Sequence, residues 1–315
     1  MRITAPVGLA LVVLSCGLGC SSPTPTTPNT PNPTPTPTPV FVPPTLPPLP
    51  AGLSALMTSM LNSLPAQVTQ ALTENQQLLP NNPHLTSQLN AKIAMLRSPS
   101  ILIDIVNGAR WVEGQSMGTS IGLVFPLEHM RADANDAVSV LTSALPVLEG
   151  FMGEPFPAPT VRVWYGFVMG NKGGGGSIYS EERSSYVARV QPNALPYDSI
   201  LCHELSHSFM ANEALNQFLE LYVYNSLRGS STDPSTWTFT RNWTPGLGSN
   251  RGITAIMDVY QLIGHDAMRA AYRAVRPLRP AYNSPLSPQV LDAFVSVLPA
   301  DLRAAVRAKL ATIIA

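Results

Sequence analysis

Hydrophobic residues recur at two different spacings along the chain, and the changes between them predict its secondary structure. From Ala51 to about Arg97 they recur three and four residues apart between prolines, which predicts two or three short helices. The stretch Ile101–Phe125 is richer in β-branched and aromatic residues with glycine breaks, which predicts strands. Helical spacing returns over Asp133–Met152, with an aspartate at the start and Gly150 and Gly153 near the end.

The rest of the chain first alternates and then becomes helical. Glycines 173–176 form a predicted flexible break, and from Ser199 onward the pattern is helical except for a polar loop at Gly229–Gly252. Strands are predicted at Thr160–Val168, Ser177–Tyr179 and Ser185–Val190. The sequence therefore predicts an α+β fold, with a mixed sheet and a helix in the N-terminal half and a mostly helical C-terminal half.

Residues 1–20 have the layout of an export signal. Arg2 provides a positive charge, residues 3–14 form a short apolar stretch, and cysteines follow among small residues. A cysteine after a small residue at this point resembles the lipobox of bacterial lipoproteins, which implies acylation of the thiol. We expect Cys20 to carry the lipid, because a polar segment begins directly after it. Cys16 is the alternative, and an ordinary cleaved signal peptide with incidental cysteines is another.

Residues 21–50 contain no charge, and proline alternates with threonine over much of their length. Proline fixes φ and removes hydrogen-bond donors, so this composition predicts a disordered, extended tether of about 3.1 Å per residue, or roughly 90 Å. A lipid followed by a stiff tether predicts an exported protein anchored in the bacterial envelope, at the outer membrane or the cell surface. Residues 51–104 are then an N-terminal helical segment, and residues 105–315 are the main domain.

Composition excludes several classes of protein. The 315 residues carry 19 basic and 19 acidic side chains, charged residues make up only 12%, and no basic run could follow a phosphate backbone. We therefore expect no nucleic-acid partner. No apolar run reaches the roughly 18–20 residues that a membrane-spanning helix needs. Beyond the N-terminal cysteines only Cys202 remains, which excludes a disulfide framework and is most simply a buried structural thiol.

One motif carries chemistry. His203 and His207 flank Glu204 in the pattern HExxH, on a segment with the apolar period of a buried helix. Residues four apart lie above one another on a helix, so both imidazoles can bind one ion. The carboxylate of Glu204 can then take a proton from a water molecule that Zn²⁺ acidifies. The alternative is a helix whose histidines only pack or cap.

The sequence around this motif resembles the gluzincin metallopeptidases, the group that contains thermolysin and the aminopeptidase N relatives. The resemblance rests on a helix ending in glycine, the strand VRVWYG, a glycine-rich turn, a further strand and the helix HELSHSF. It covers roughly residues 105–315 and is specific only at HExxH. It implies a metallopeptidase-like domain with a zincin-like cleft between a sheet half, 105–198, and a helical half, 199–315. It also implies a glutamate ligand on the next helix, and substrate pairing along the strand that follows the glycines.

Two glutamates compete for that ligand position. If the first helix runs one turn beyond His207 and then reverses, Glu220 returns level with the histidines, and we expect it to be the third ligand. Glu213 is the alternative. Its Asn-Glu-Ala setting resembles the thermolysin relatives at too short a spacing, and its position matches the third ligand of metzincins, where histidine is usual.

The remaining candidates are weaker. Relatives stabilise the oxyanion with a tyrosine or histidine, and Tyr282, in a proline-rich loop, is our candidate for this catalytic role. Other candidates are Tyr260, Tyr272 and His265. Two further residues, Asp258 and Asn216, could orient a zinc-binding imidazole.

Taken together, these features predict an envelope-anchored, zinc-dependent metallopeptidase, a hydrolase of peptide or protein substrates that uses a water molecule activated by Zn²⁺. The alternative is a stalked surface binding or adhesion module whose peptidase-like site is inactive or structural. Glu204 favours the enzyme, because a purely structural zinc site needs ligands and no general base.

Overall fold

The described strands lie between residues 111 and 190, and the described elements from residue 197 onward are helical. The computed structural model describes residues 48–78, 110–166, 175–180, 185–190, 197–229, 237, 251–281 and 285–313. The helices are α1 (Ala55–Leu78), α2 (Arg131–Met152), α3 (Tyr197–Ser206), α4 (Glu213–Leu227), α5 (Arg251–Val275), α6 (Pro288–Ser296) and α7 (Ala300–Leu310). The strands are β1 (Trp111–Ser116), β2 (Thr119–Val124), β3 (Thr160–Tyr165), β4 (Gly175–Ser180) and β5 (Ser185–Val190). None of the described helices is both long and apolar enough to span a bilayer.

The strands form one mixed sheet in the order β1-β2-β3-β5-β4. Strands β1 and β2 are an antiparallel hairpin that turns at Met117 and Gly118, both with positive φ, the backbone that tight hairpins favour. Strand β3 runs parallel to β2 and to β5, and β4 lies antiparallel to β5 at the edge. The predicted α+β class and mixed sheet are confirmed. Gly175 and Gly176, predicted as part of a flexible break, instead begin β4.

Helix α2 covers one face of the sheet. Its apolar stripe packs in one core with Ile121 and Leu123 of β2 and with Val161 and Val163 of β3. Alternation along a strand sends these four side chains to the same face. The buried residues of α2 are Ala134, Ala137, Val138, Leu141, Ala144, Leu145, Leu148, Phe151 and Met152.

Helix α1 lies against the opposite face. Gly122 of β2 faces this helix. A Cβ atom at Gly122 would come within 2.8 Å of Sδ of Met60 and 3.1 Å of Sδ of Met57. The missing side chain therefore lets the methionines of α1 approach the backbone of β2 closely. Residues 79–109, which include the end of the predicted N-terminal helical segment, lie outside the described residues.

The helical half is tied to the carboxyl end of α2. Arg269 and Arg273 of α5 donate hydrogen bonds to the carbonyl oxygens of Gly150 and Phe151, which have no partner within their own helix at that end. Cations at this position are also favoured by the helix dipole. Helix α5 itself is kinked at Gly264, where the backbone leaves the helical region.

Helices α3 and α4 pack on each other and on α2, and α3 also contacts β4 and β5. The HExxH residues therefore lie between the helical half and the edge of the sheet. Helix α3 ends at Ser206, one turn earlier than the sequence analysis assumed. This early end decides which carboxylate reaches the histidines.

Candidate metal centre

The two histidines of the motif face each other. His203 and His207 are four residues apart, and their Nε2 atoms lie 3.1 Å from one another. The rings are nearly perpendicular, with centroids 4.7 Å apart. His203 is almost fully buried, and His207 is partly buried. The predicted pairing of the imidazoles is present, with His203 in α3 and His207 directly after its last residue, Ser206.

The outer ring nitrogens fix where the protons lie. Nδ1 of His207 is 3.2 Å from the carbonyl oxygen of Met210, and a carbonyl can only accept, so this nitrogen carries hydrogen. Nδ1 of His203 is 2.8 Å from Oε2 of Glu220, and a carboxylate is likewise an acceptor. In the neutral rings both Nε2 atoms therefore present lone pairs to one another. Such an arrangement is repulsive unless a proton or a metal cation lies between them.

Glu213 completes the group. Its Oε1 lies 3.5 Å from Nε2 of His203, and its Oε2 lies 3.3 Å from Nε2 of His207. Among the described residues, His203, His207 and Glu213 form the cluster whose ligand atoms all lie within 4.8 Å of one another. Apart from its contact with His207, the buried Oε2 of Glu213 has no hydrogen-bond partner among the described residues.

These distances fit zinc. Ligand atoms 2.0–2.1 Å from a tetrahedral Zn²⁺ lie about 3.3 Å from each other. The Nε2 atoms lie 3.1 Å apart, and the two carboxylate oxygens of Glu213 lie 3.3 Å from His207 and 3.5 Å from His203, one oxygen for each ring. With one ligand atom taken from each residue, all three atoms lie within 4.8 Å of one another. Two imidazoles and one carboxylate are also the donor set of one class of catalytic zinc sites, which leave a fourth position for water or substrate. The residues present therefore suit this metal.

The electrostatics of the site favour a cation. Burial lowers the pKa of His203, but the charge of Glu220, hydrogen bonds with Glu213 and Glu220, and the charge of Glu204 raise it to about 10. Burial raises the pKa of Glu213, but hydrogen bonds and charge interactions with both histidines hold it far below its ordinary value. Three carboxylates thus act on one imidazole, so positive charge is stabilised at this point.

The turn between α3 and α4 explains why Glu213 reaches the site. The backbone N–H groups of Phe209 and Met210 donate to the carbonyl of Ser206, which closes a tight turn directly after the motif. Asn212 then caps α4, because its side chain accepts a hydrogen bond from the backbone N–H of Leu215. Glu213 is consequently the first residue of α4, at the end where the helix dipole stabilises a carboxylate.

Glu220, the ligand that we predicted from sequence, lies outside the converging group. It lies two turns further along α4 and contacts Nδ1 of His203. The cluster of candidate ligands with Glu213 forms on the other side of the ring, at Nε2. The geometry therefore favours Glu213, the alternative from the sequence, as third ligand. The prediction of Glu220 depended on an extra helical turn after His207, which α3 does not form.

Glu204 lies between the two histidines in sequence and is 5% exposed. Its charge contributes to raising the pKa of His203. It does not belong to the cluster of ligand atoms found among the described residues. Glu204 is therefore a buried carboxylate outside the group of candidate ligands.

The oxyanion candidates take other positions. Tyr282, the predicted catalytic tyrosine, lies outside the described residues. The hydroxyl of Tyr272 is buried and donates to the carbonyl oxygen of Leu215, 2.8 Å away. The hydroxyl of Tyr260 lies 3.2 Å from Nδ1 of His265 in an aromatic cluster. Tyr272 therefore serves the packing of α5 on α4.

The two residues proposed to orient an imidazole, Asp258 and Asn216, lie in different surroundings. Asp258 is half-exposed and forms an ion pair with Lys309, with the charged atoms 3.0 Å apart. Asn216 is fully buried and donates from Nδ2 to the carbonyl oxygen of His203, 3.0 Å away. Asn216 thus fixes the backbone of α3 on α4. Cys202 is fully buried, as expected.

Two groups that help to hold the imidazoles, one directly and one through Glu220, were not predicted from the sequence. Ser199 donates a hydrogen bond to Oε1 of Glu220, and the carbonyl of Met210 accepts from His207. Ser199 lies one helical turn before His203, and this spacing is the one signal in the sequence that could have drawn attention to it. The carbonyl of Met210 reaches His207 because of the turn after α3. Every residue has a backbone carbonyl, so this contact cannot be predicted from the residue type.

No family model and no curated protein matches this sequence. Among solved structures, the M1 zinc metallopeptidase from Deinococcus radiodurans is 13% identical with a TM-score of 0.44, over 63% of this chain and 50% of that chain. A glutamate-to-alanine mutant of that enzyme gives 12% identity, a TM-score of 0.44 and the same coverage. Its complex with a Tyr-Ser-Ala substrate gives 13% identity and a TM-score of 0.43, over 65% of this chain and 52% of that chain. The chain thus spans about half the length of these structures.

Proposed function

We propose that this protein is a zinc-dependent peptidase whose metal is held by His203, His207 and Glu213. The observation that carries the proposal is the convergence of one ligand atom from each of these residues to within 4.8 Å of one another, with the two Nε2 atoms 3.1 Å apart. A purely structural zinc site is closed by four protein ligands and has no use for a general base. Three protein donors with a carboxylate alongside are the arrangement of a hydrolytic site.

Zinc in this position would act as a Lewis acid that polarises a peptide carbonyl and lowers the pKa of water to about 7. The protein supplies the proton transfers. The carboxylate of Glu204 takes the proton from the attacking water and delivers it to the nitrogen of the leaving amine. Its burial keeps this transfer away from bulk solvent. The nearby imidazole of His203 is held by Glu220 of α4, and Asn216 of the same helix binds the backbone carbonyl of His203.

We further propose that the domain works at the bacterial envelope on peptide or protein substrates. The support comes from the sequence: a signal-like stretch over residues 1–20, Cys20 as the lipid attachment point, and an uncharged tether over residues 21–50. These segments lie almost entirely outside the described residues. An acyl chain contributes about 0.8 kcal/mol per buried CH₂ to membrane binding.

The decisive experiment compares wild type with Glu204→Gln at equal zinc occupancy, on a diverse peptide library. Glutamine matches the shape of glutamate but cannot take a proton, and general base catalysis typically contributes 10²–10⁴-fold. We expect Glu204→Gln to keep the metal and the fold and to lose turnover by about this factor. Glu154→Gln is the matched control, because Glu154 is a surface residue paired with Arg276 and should leave activity unchanged.

Two results would contradict the proposal. Equal cleavage by wild type and Glu204→Gln would show that another site or a contaminant is responsible. A zinc-loaded wild type that cleaves no peptide would favour the alternative from the sequence, a surface binding module with an inactive site.

A further inference from the structure

Glu220 is a fully buried carboxylate whose two oxygens are both engaged. Oε2 lies 2.8 Å from Nδ1 of His203, and Oε1 accepts a hydrogen bond from the hydroxyl of Ser199. Ser199 is fully buried as well. Removing a carboxylate from water is unfavourable unless specific partners compensate it, and both of these partners belong to α3.

Glu220 is also one of three polar residues on the same face of α4. Glu213, Asn216 and Glu220 are spaced by three and four residues, which places them along one stripe of the helix. Each contacts α3 at a different level: Glu213 reaches the Nε2 atoms, Asn216 binds the backbone of His203, and Glu220 binds the outer side of its ring. The residues next to Glu220, Leu219 and Leu221, are fully buried apolar side chains, so the position lies within the core.

A hydrogen bond at Nδ1 has a specific effect on a metal-binding imidazole. It places the proton on Nδ1, leaves the lone pair on Nε2 and restrains rotation of the ring. A carboxylate in this position also increases the basicity of the nitrogen that binds the metal. Nδ1 of His207 lies against a backbone carbonyl, that of Met210, whereas Nδ1 of His203 lies against the carboxylate of Glu220.

We propose that Glu220 is a positioning residue, which acts together with Ser199 to hold His203 in the tautomer and orientation that bind zinc. The inference rests on the proposed function, because it needs zinc at His203, His207 and Glu213. It assigns Glu220 a role outside the ligand set, and it assigns Ser199 the role of fixing the Glu220 carboxylate.

Zinc affinity of the full-length protein, measured by competition with a chromophoric chelator, tests the proposal. We expect Glu220→Gln to retain one zinc per chain and to bind it about 10- to 100-fold more weakly, the usual effect of changing an outer partner of a metal ligand. In the cobalt-substituted protein the visible absorption of Co²⁺ should keep the intensity of a four-coordinate site, because the ligands are unchanged. Glu213→Gln should instead lose that signature.

Two further variants separate positioning from general stability. Ser199→Ala removes the donor to Glu220 at a helical position that suits alanine, and we expect a smaller loss of zinc affinity in the same direction, about two- to ten-fold. Asn225→Leu is the control for a buried polar residue on α4, since Asn225 donates to the carbonyl of Leu221 in its own helix. It should lower the stability of the metal-free protein and leave zinc affinity unchanged.

The outcomes distinguish this inference from the proposed function. If wild type binds zinc, and Glu220→Gln keeps wild-type affinity and cobalt spectrum, positioning by Glu220 is wrong and the proposed function stands. If Glu220→Gln loses the metal while Glu213→Gln keeps it, Glu220 is the ligand and the inference is overturned. Should Glu220→Gln fail to fold, unchanged zinc affinity in Ser199→Ala overturns it. If wild type binds no zinc, both the proposed function and this inference are wrong.

Discussion

Nε2 of His203 and Nε2 of His207 lie 3.1 Å apart, while Nδ1 of each ring is held from outside. The protein therefore fixes both imidazoles with their metal-binding nitrogens turned towards one point. This preorganisation reduces the side-chain conformational entropy that would be lost when a metal ion binds. It also makes the site sensitive to residues that never touch the ion.

The first prediction concerns Glu213, the proposed third ligand. Glu213→Gln should weaken zinc binding by more than the roughly 10- to 100-fold expected for an outer partner, because a neutral amide oxygen replaces a coordinating carboxylate. Zinc per chain, measured by elemental analysis after dialysis against a weak chelator, checks this. Asp258→Asn is the control, since Asp258 pairs with Lys309 on the surface. Retention of stoichiometric zinc by Glu213→Gln would remove Glu213 from the ligand set.

The metal-free protein should show a characteristic dependence of stability on pH. The pKa of His203 is raised from 6.5 to about 10, so its contribution is complete below pH 6.5 and is lost as the pH rises through about 10. The pKa of Glu213 is lowered from 4.5, so its contribution is present above that value and is lost only as the pH falls further. The site therefore stabilises the metal-free fold most between pH 4.5 and 6.5.

Urea unfolding in the presence of a chelator can measure this effect. The stability difference between wild type and His203→Gln should be largest near about pH 5.5 and should shrink steadily towards about pH 10. Glutamine keeps a polar side chain of similar size but cannot be protonated. A difference that stays constant over this range would show that His203 does not carry the shifted pKa.

Two glycines at the end of α2 should respond oppositely to alanine. Gly153 has a φ of 73°, a backbone conformation that strains alanine, and a Cβ atom there would also displace the guanidinium of Arg273. We expect a loss of about 1–3 kcal/mol. Gly150→Ala is the matched control, because nothing lies within 4 Å of its Cβ position and the backbone is helical. It should stabilise the fold by about 0.5–1 kcal/mol.

Thermal or urea unfolding of the two glycine variants provides the measurement. If Gly153→Ala were as stable as wild type, the left-handed backbone described at Gly153 would be contradicted.

The lipid anchor is tested by mass spectrometry of the mature N-terminus. We expect an acylated Cys20 as the first residue, and Cys20→Ser should release the protein from the membrane fraction because no other acylated thiol remains. A lipid at Cys16 would correct the site, and an unmodified N-terminus beyond residue 20 would contradict the anchor. Cys202→Ser is the control, since this thiol is buried in the folded domain.

Local patterns predicted the elements of the fold well. Helix α2 was expected over Asp133–Met152 and runs over Arg131–Met152, and the strand Ser185–Val190 was predicted with the bounds that the structure has. Strand β3 begins at Thr160 as expected. Hydrophobic periodicity is a property of a few neighbouring residues, so it can be read without knowledge of the fold.

The sequence by itself determined the pair of histidines and the position of Glu204, because HExxH spans only the last turn of α3 and the residue that follows it. The third carboxylate is different, since it depends on how the chain turns between α3 and α4. Asn212 caps α4 and also donates from Nδ2 to the carbonyl oxygen of Ala281, 69 residues away, at 2.9 Å. Tyr272 holds the same helix through the carbonyl of Leu215. These contacts between distant segments fix where α4 begins, and only the tertiary structure could therefore decide that Glu213 faces the histidines and that Glu220 lies behind them.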